Sequence, residues 1–154
     1  FFKKIIQKLL NTFGYRITKI PIGNDKILEK KLFEYPIFFD VVANKGQSIS
    51  RFRKISLNSV IHSFEQIEKN YKFLKKNFKK NVIINNIALG EKNEKKNFYI
   101  NKKNTNSSFF KSNLFPTIGN KIIQSITLDS YIKKNKINHI DLLKIDTQGY
   151  DEII

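Results

Sequence analysis

Hydrophobic residues along the chain fall into two kinds of pattern. From Ile37 onward, short, mostly apolar runs alternate with stretches whose apolar residues recur every three or four positions. The runs predict buried parallel strands over residues 37–42, 60–64, 82–87 and 140–145. The periodic stretches predict helices over 48–55, over the segment carrying Ile67, Tyr71, Leu74 and Phe78, and from Thr127 to Asn135. Thr127 is placed to cap the last of these, and Asp129 lies in its favourable first turn. Ala88-Leu89-Gly90 closes the third strand. A hairpin is expected beyond it, with arms at Asn97–Ile100 and Lys121–Ser125. Between these arms the polar, Ser/Asn-rich span from Asn101 to Pro116 reads as a loop or lid. Upstream, Phe2, Ile5, Ile6, Leu9, Leu10 and Phe13 follow helical spacing, Pro21 to Asp25 form a turn cluster, and a second helical stretch runs to Tyr35, where Pro36 stops it. The expected organisation is a helical lead over 1–35, then an α/β domain over 36–154 with a mostly parallel, doubly wound sheet.

Three of the expected strands deliver an acid near their carboxyl ends: Asp40, Glu65 and Asp146. In doubly wound sheets a ligand lies outside those ends, where strand order reverses. Gly46, in the turn after the first strand, suits close backbone approach and precedes a helix start with free N–H groups. Val42 occupies the place where nucleotide-binding turns usually have their first glycine, and a β-branched residue is not expected to accept positive φ there. Glu65 lies roughly 25 residues beyond Asp40, the usual interval to an acid that accepts ribose hydroxyls. A solvated Glu capping the next helix has the same spacing. Asp146 can hold a reacting group or cap a helix beginning at Tyr150; taken alone, it reads as the cap. His62, alternating within a strand, reads as a satisfied histidine rather than a base.

Composition narrows the classes. The chain has 154 residues and a formal net charge of +16. Such a charge invites a polyanion partner, yet the only arginines are Arg16, Arg51 and Arg53. The joint excess of Lys, Asn, Ile and Phe matches a codon bias toward A and T. Lys69, Lys72, Lys76 and Lys79 stand opposite an apolar stripe as an ordinary solvated face. Nucleic acid is therefore not the expected partner. With no cysteine, a disulfide framework, thiolate metal site or cysteine nucleophile is excluded. Two histidines without metal-binding spacing predict no metal site. Apolar runs are too short for a membrane span, and the basic, amphipathic start lacks a signal-peptide core, so a cytoplasmic protein is expected. The lack of methionine and the end at Ile154, within an apparent helix start, lead us to expect a fragment that stops after the fourth parallel strand.

Taken together, five segments resemble one family. Asp40-Val41-Val42-Ala43-Asn44-Lys45-Gly46-Gln47 is similar to the Asp-Val-Gly-Ala-Asn-x-Gly motif of the FkbM-type S-adenosylmethionine-dependent methyltransferases. Phe64-Glu65 with Asn70-Tyr71 and Leu74, Asn86 to Gly90, Ser107-Ser108, and Thr127-Leu128-Asp129 followed by Asp141 to Gly149 continue the likeness in order over residues 37–154. The resemblance implies a Rossmann-like class I methyltransferase fold with S-adenosylmethionine as cofactor. It implies Asp40, Ala43, Asn44 and Gly46 around the methionine moiety, Glu65 on the ribose, Asn86 and Ala88 near the adenine, and Asp146 facing the transferred methyl as the candidate base. It further implies O-methylation of a hydroxyl on a glycan or small-molecule acceptor. The family glycine is Val42 here, which keeps a catalytically degenerate interaction module open as a rival. An RNA methyltransferase or RNA-binding domain, suggested by the charge, is a more distant one.

Overall fold

The computed structural model describes residues 34–101, 107–110, 116–147 and 154. The expected N-terminal helix, the 21–25 turn cluster, most of the stretch leading to Tyr35 and the helix start at Tyr150 lie outside these residues. The described residues belong to one compact unit, residues 32–154.

Four parallel strands form the central sheet: β1 (Ile37–Val41), β2 (Val60–Phe64), β3 (Val82–Asn85) and β7 (Leu142–Ile145), in the order β3-β2-β1-β7. The chain steps outward from β1 through β2 to β3, then returns to the other side of β1 as β7. Strand order thus reverses between β1 and β7. A second, three-stranded sheet holds β4 (Ala88–Leu89), β6 (Thr117–Ile126) and β5 (Glu94–Asn101), with β4 parallel and β5 antiparallel to β6. The β5–β6 pair is the expected hairpin with longer arms.

Three helices complete the described unit: α1 (Gln47–Ile55), α2 (Glu68–Asn77) and α3 (Leu128–Asn135). Residues of β1 alternate between two cores, as a pleated strand requires. Phe38 packs with Ile49 and Phe52 of α1, Ile61 of β2 and Leu74 of α2. Phe39 and Val41 pack on the other face with Phe64, Leu89 and Tyr131 of α3. The α3 cap is as expected, Thr127 Oγ1 accepting from Ser130 N–H at 3.1 Å.

Three strand limits depart from expectation, the least of them at β1, which ends at Val41 rather than Val42. The third apolar run divides, because β3 ends at Asn85 and Ala88–Leu89 pairs with β6 in the other sheet. The fourth begins at Leu142 rather than Ile140. Asp141 stays outside the strand and clips the start of β1, accepting from Ile37 N–H at 2.7 Å while its own N–H reaches Ile37 O at 2.9 Å. Lys69, Lys72, Lys76 and Lys79 are exposed as expected. Among the described residues, no helix is long and apolar enough to cross a membrane.

Candidate active site

The turn after β1 takes an unusual backbone path. Val42, Asn44 and Gly46 all have positive φ, at 63°, 50° and 83°. Glycine adopts this region freely and asparagine tolerates it. A β-branched residue there is a conformational outlier costing roughly 1–2 kcal/mol. The expectation that Val42 would refuse positive φ is thus corrected. Tertiary tethers override its local preference, because the neighbouring Ala43 N–H bonds Phe64 O at 3.0 Å and Lys144 holds two carbonyls of the turn.

Gly46 is needed twice over. Beyond its φ, a Cβ at this position would stand 2.4 Å from the Phe78 ring and 3.1 Å from Leu74. Its α-carbon is therefore turned toward α2, and it shapes the turn from behind.

Glu65 is buried, which removes the solvated alternative. Its Oε2 accepts from Asn44 N–H at 2.7 Å and its Oε1 from Ile67 N–H at 2.8 Å. Asn70 Nδ2 donates to Asn44 Oδ1 at 3.2 Å, and Asn86 Nδ2 to Glu65 O at 2.9 Å. Asn44, Glu65 and Asn86, expected as site residues on separate grounds, are thereby laced across the carboxyl ends of β1, β2 and β3. Burial pushes the Glu65 carboxyl up to about 7, against the pull of the Ile67, Asn44 and Asn70 donors and with a further push from Asp40.

A row of polar side chains crosses the sheet on the Phe38 face. Ser63, Asp40 and Lys144 are register partners on β2, β1 and β7. Ser63 and Asp40 are wholly buried. Lys144 Nζ stands 3.2 Å from Asp40 Oδ1 and 3.8 Å from Asp146 Oδ2. It also donates to Val41 O and Val42 O, each at 3.3 Å. Neither oxygen of Asp40 nor the hydroxyl of Ser63 has an aligned hydrogen bond. Burial raises the Asp40 carboxyl above its ordinary value; Lys144 and the Ser48 hydroxyl oppose that, and Asp146 adds to it. Asp146 itself is more than half exposed.

Beside the turn lies a cavity lined by Val42, Gln66, Ala88, Phe98, Ser108 and Thr147. The first described part of the 101–116 span helps to build it. Ser108 exchanges two backbone hydrogen bonds with Tyr99 on β5, at 2.9 and 3.2 Å, and its Oγ reaches Thr147 O at 3.3 Å. Phe98 and Phe109 meet edge to face at 5.3 Å. The remainder of the expected lid, at 102–106 and 111–115, lies outside the described residues.

The structure thus gathers Asp40, Ala43, Asn44, Glu65 and Asn86 at one edge of the sheet, places Ala88 in the cavity wall, and sets Asp146 beside Lys144. His62 belongs elsewhere. It is bonded through Nδ1 to the Tyr131 hydroxyl at 2.8 Å and stacked on Phe39, a satisfied core histidine as expected. Lys144 and Ser63 are the residues that sequence reasoning missed. The signal for Lys144 was a lone lysine inside an otherwise apolar strand, Leu142-Leu143-Lys144-Ile145; Ser63 gave no comparable signal.

Among the described residues no group of His, Cys, Asp or Glu could hold a metal ion. Comparison with curated proteins and with solved structures found no match. The family model for the methyltransferase FkbM domain matches residues 40–154, and the chain belongs to that family.

Proposed function

We propose that this FkbM-family methyltransferase domain binds S-adenosylmethionine at the β1–β7 crevice of a Rossmann-like class I arrangement and methylates a hydroxyl of a glycan or small metabolite. The observation that carries the reading is the convergence of Asp40, Lys144 and Asp146 where strand order reverses, the position at which open α/β sheets take their ligands. The residues present fit a cationic ligand. Three carboxyls, Asp40, Glu65 and Asp146, share this edge with Lys144, and buried Asp40 has no aligned hydrogen bond.

When bound, S-adenosylmethionine supplies an electrophilic sulfonium methyl for in-line displacement. The chain's own residues align and hold. Asp40, Ala43, Asn44 and Gly46 form the turn against which the methionine moiety would lie. Glu65 accepts from two backbone N–H groups and from the Asn70 amide, which leaves acceptor capacity for one further donor such as a ribose hydroxyl. Asn86 and Ala88 border the adenine side. Asp146, exposed at the crevice mouth, is suited to take the acceptor hydroxyl's proton. Alignment supplies most of the acceleration in such a displacement.

Val42 favours a second reading, a catalytically degenerate module kept for interaction, because its side chain lines the cavity. Isothermal titration of the full chain with S-adenosylmethionine separates the two. Saturable binding is expected, followed by transfer of labelled methyl to a hydroxyl acceptor. No heat of binding at millimolar ligand would overturn the enzyme reading and leave the interaction module.

A further inference from the structure

We infer that Lys144 is a positioning residue, a clamp from β7 that holds Val42 in the left-handed conformation on which the shape of the crevice depends. Its place in methyl transfer rests on the function proposed above; its action on the turn does not. Val42 is a β-branched residue at φ 63°, a state that such residues leave when nothing holds them. Residue 42 has two faces in the structure. Its side chain lines the cavity, and its carbonyl accepts from Lys144 Nζ at 3.3 Å, as does the carbonyl of Val41. A single ammonium thus grips the two consecutive peptide oxygens that flank the strained residue. The same Nζ is anchored 3.2 Å from buried Asp40 Oδ1, its partner in register on the neighbouring strand. An anchored donor with two carbonyls in its grasp fixes the orientation of the peptide between Val41 and Val42 and of the one after it. Without the clamp, valine relaxes toward the extended region, turning its side chain and the following N–H groups and changing the wall against which a ligand would lie. Glycine at this position would keep positive φ without help.

This account predicts coupling between residues 42 and 144, and a double-mutant cycle on the full chain reads it. Lys144→Met is expected to weaken S-adenosylmethionine binding about tenfold with valine at 42, in keeping with the loss of hydrogen bonds from a charged group. With Val42→Gly the same change is expected to cost less than about threefold, the difference being the clamp's share. Lys144→Met also leaves Asp40 without its ion-pair partner, but that loss is common to both backgrounds and cancels in the cycle. Lys144→Arg, which retains donors and charge, is expected to restore most of the affinity. The thermal midpoint is measured for every variant without ligand and should show the same coupling. Losses that simply multiply in the double variant would overturn the inference. If Lys144→Met folds only with glycine at 42, the clamp is supported in its strongest form; if it folds with neither, glycine does not replace the clamp and the inference fails. If no variant binds S-adenosylmethionine, the proposed function falls while the thermal coupling still decides the clamp.

Discussion

The central sheet carries a buried polar cluster on each face, and the two are built on opposite terms. On the α3 face, His62, Asn85 and Tyr131 are bonded to one another: His62 Nδ1 and Asn85 Nδ2 lie 2.8 and 3.1 Å from the Tyr131 hydroxyl, inside a cage of Phe39 and Phe64. On the α1 face, Ser63, Asp40 and Lys144 stand in register, yet the Ser63 hydroxyl and both Asp40 oxygens have no aligned hydrogen bond. Asp40 is ion-paired with Lys144 through Oδ1 at 3.2 Å, whereas the Ser63 hydroxyl is buried with no hydrogen-bond partner, which is costly and rarely occurs in folded proteins without a reason. The first cluster spends its polarity on the fold. The second holds its polarity in reserve at the edge where a ligand would enter.

The sharpest way to break this contrast is at Asp146, the exposed acid beside Lys144. Asp146→Asn is expected to lower turnover by about a hundredfold or more while leaving cofactor affinity nearly unchanged, as removal of a proton acceptor does. Full activity would leave a mechanism of positioning alone and make Asp146 a helix cap, a role that asparagine fills as well.

Opposite pH dependences should come next in size. The fold raises the Glu65 carboxyl from 4.5 to about 7, chiefly by burial. The native state therefore favours its protonated form, and that stability is whole below pH 4.5 and is lost as the pH rises through about 7. The loss amounts to about 3 kcal/mol at most. Burial depresses His62 below 6.5, so its contribution is whole above pH 6.5 and is lost as the pH falls beneath it. Thermal midpoints measured across pH 4 to 9 should show Glu65→Gln flattening the neutral-side slope and His62→Gln the acid-side one. The two slopes responding to the same substitution would erase the distinction between the clusters.

A smaller effect tests the satisfied side by itself. Tyr131→Phe removes the hydroxyl shared by His62 and Asn85 and is expected to cost about 1–3 kcal/mol in denaturant unfolding, with no change in cofactor affinity. A change in affinity would mean that the α3 cluster reaches the crevice. Smallest in stability is Val42→Gly. Relief of about 1–2 kcal/mol of left-handed strain is offset by about 0.5–1 kcal/mol of glycine entropy, so the unfolding free energy should rise by no more than about 1.5 kcal/mol. Cofactor affinity, read by titration, should tighten, since the cavity wall loses a side chain. Weaker binding would mean that valine is part of the fit.

The contrast also explains what the sequence disclosed. Strands β1 and β2 were legible because burial on both faces demands largely apolar runs, and the outer strands β3 and β7, though partly exposed, keep the same composition. Helix α2 was legible in the spacing of Ile67, Tyr71, Leu74 and Phe78, and α3 in its Thr127 cap. The acids at the strand ends were legible because few other polar residues interrupt those runs. What escaped was set by contacts between segments distant in the chain. The conformation of Val42 depends on Lys144, whose inward direction a lone lysine in an apolar strand does not announce. The burial of Glu65 depends on Asn44 and Asn70 arriving from two other elements. The transfer of Ala88–Leu89 to a second sheet was hidden because it depends on pairing with β6, distant in the chain, although Asn85-Asn86 interrupts the apolar residues where β3 ends.

The pairing of β1 with β7 carries a consequence for the order of assembly. The units β1-α1-β2-α2-β3 are joined by short connections, whereas Lys144 meets Val42 across 102 residues and Asp141 meets Ile37 across 104. Closing so long a loop costs about 4 kcal/mol of chain entropy before any contact rewards it. Non-local pairings of this kind slow folding, so the three local strands are expected to settle first and β7 to dock upon them afterwards. Docking is the step that brings Lys144 to the turn. The crevice therefore comes into being as a late event of folding, and a chain caught before it would have most of its core but no site.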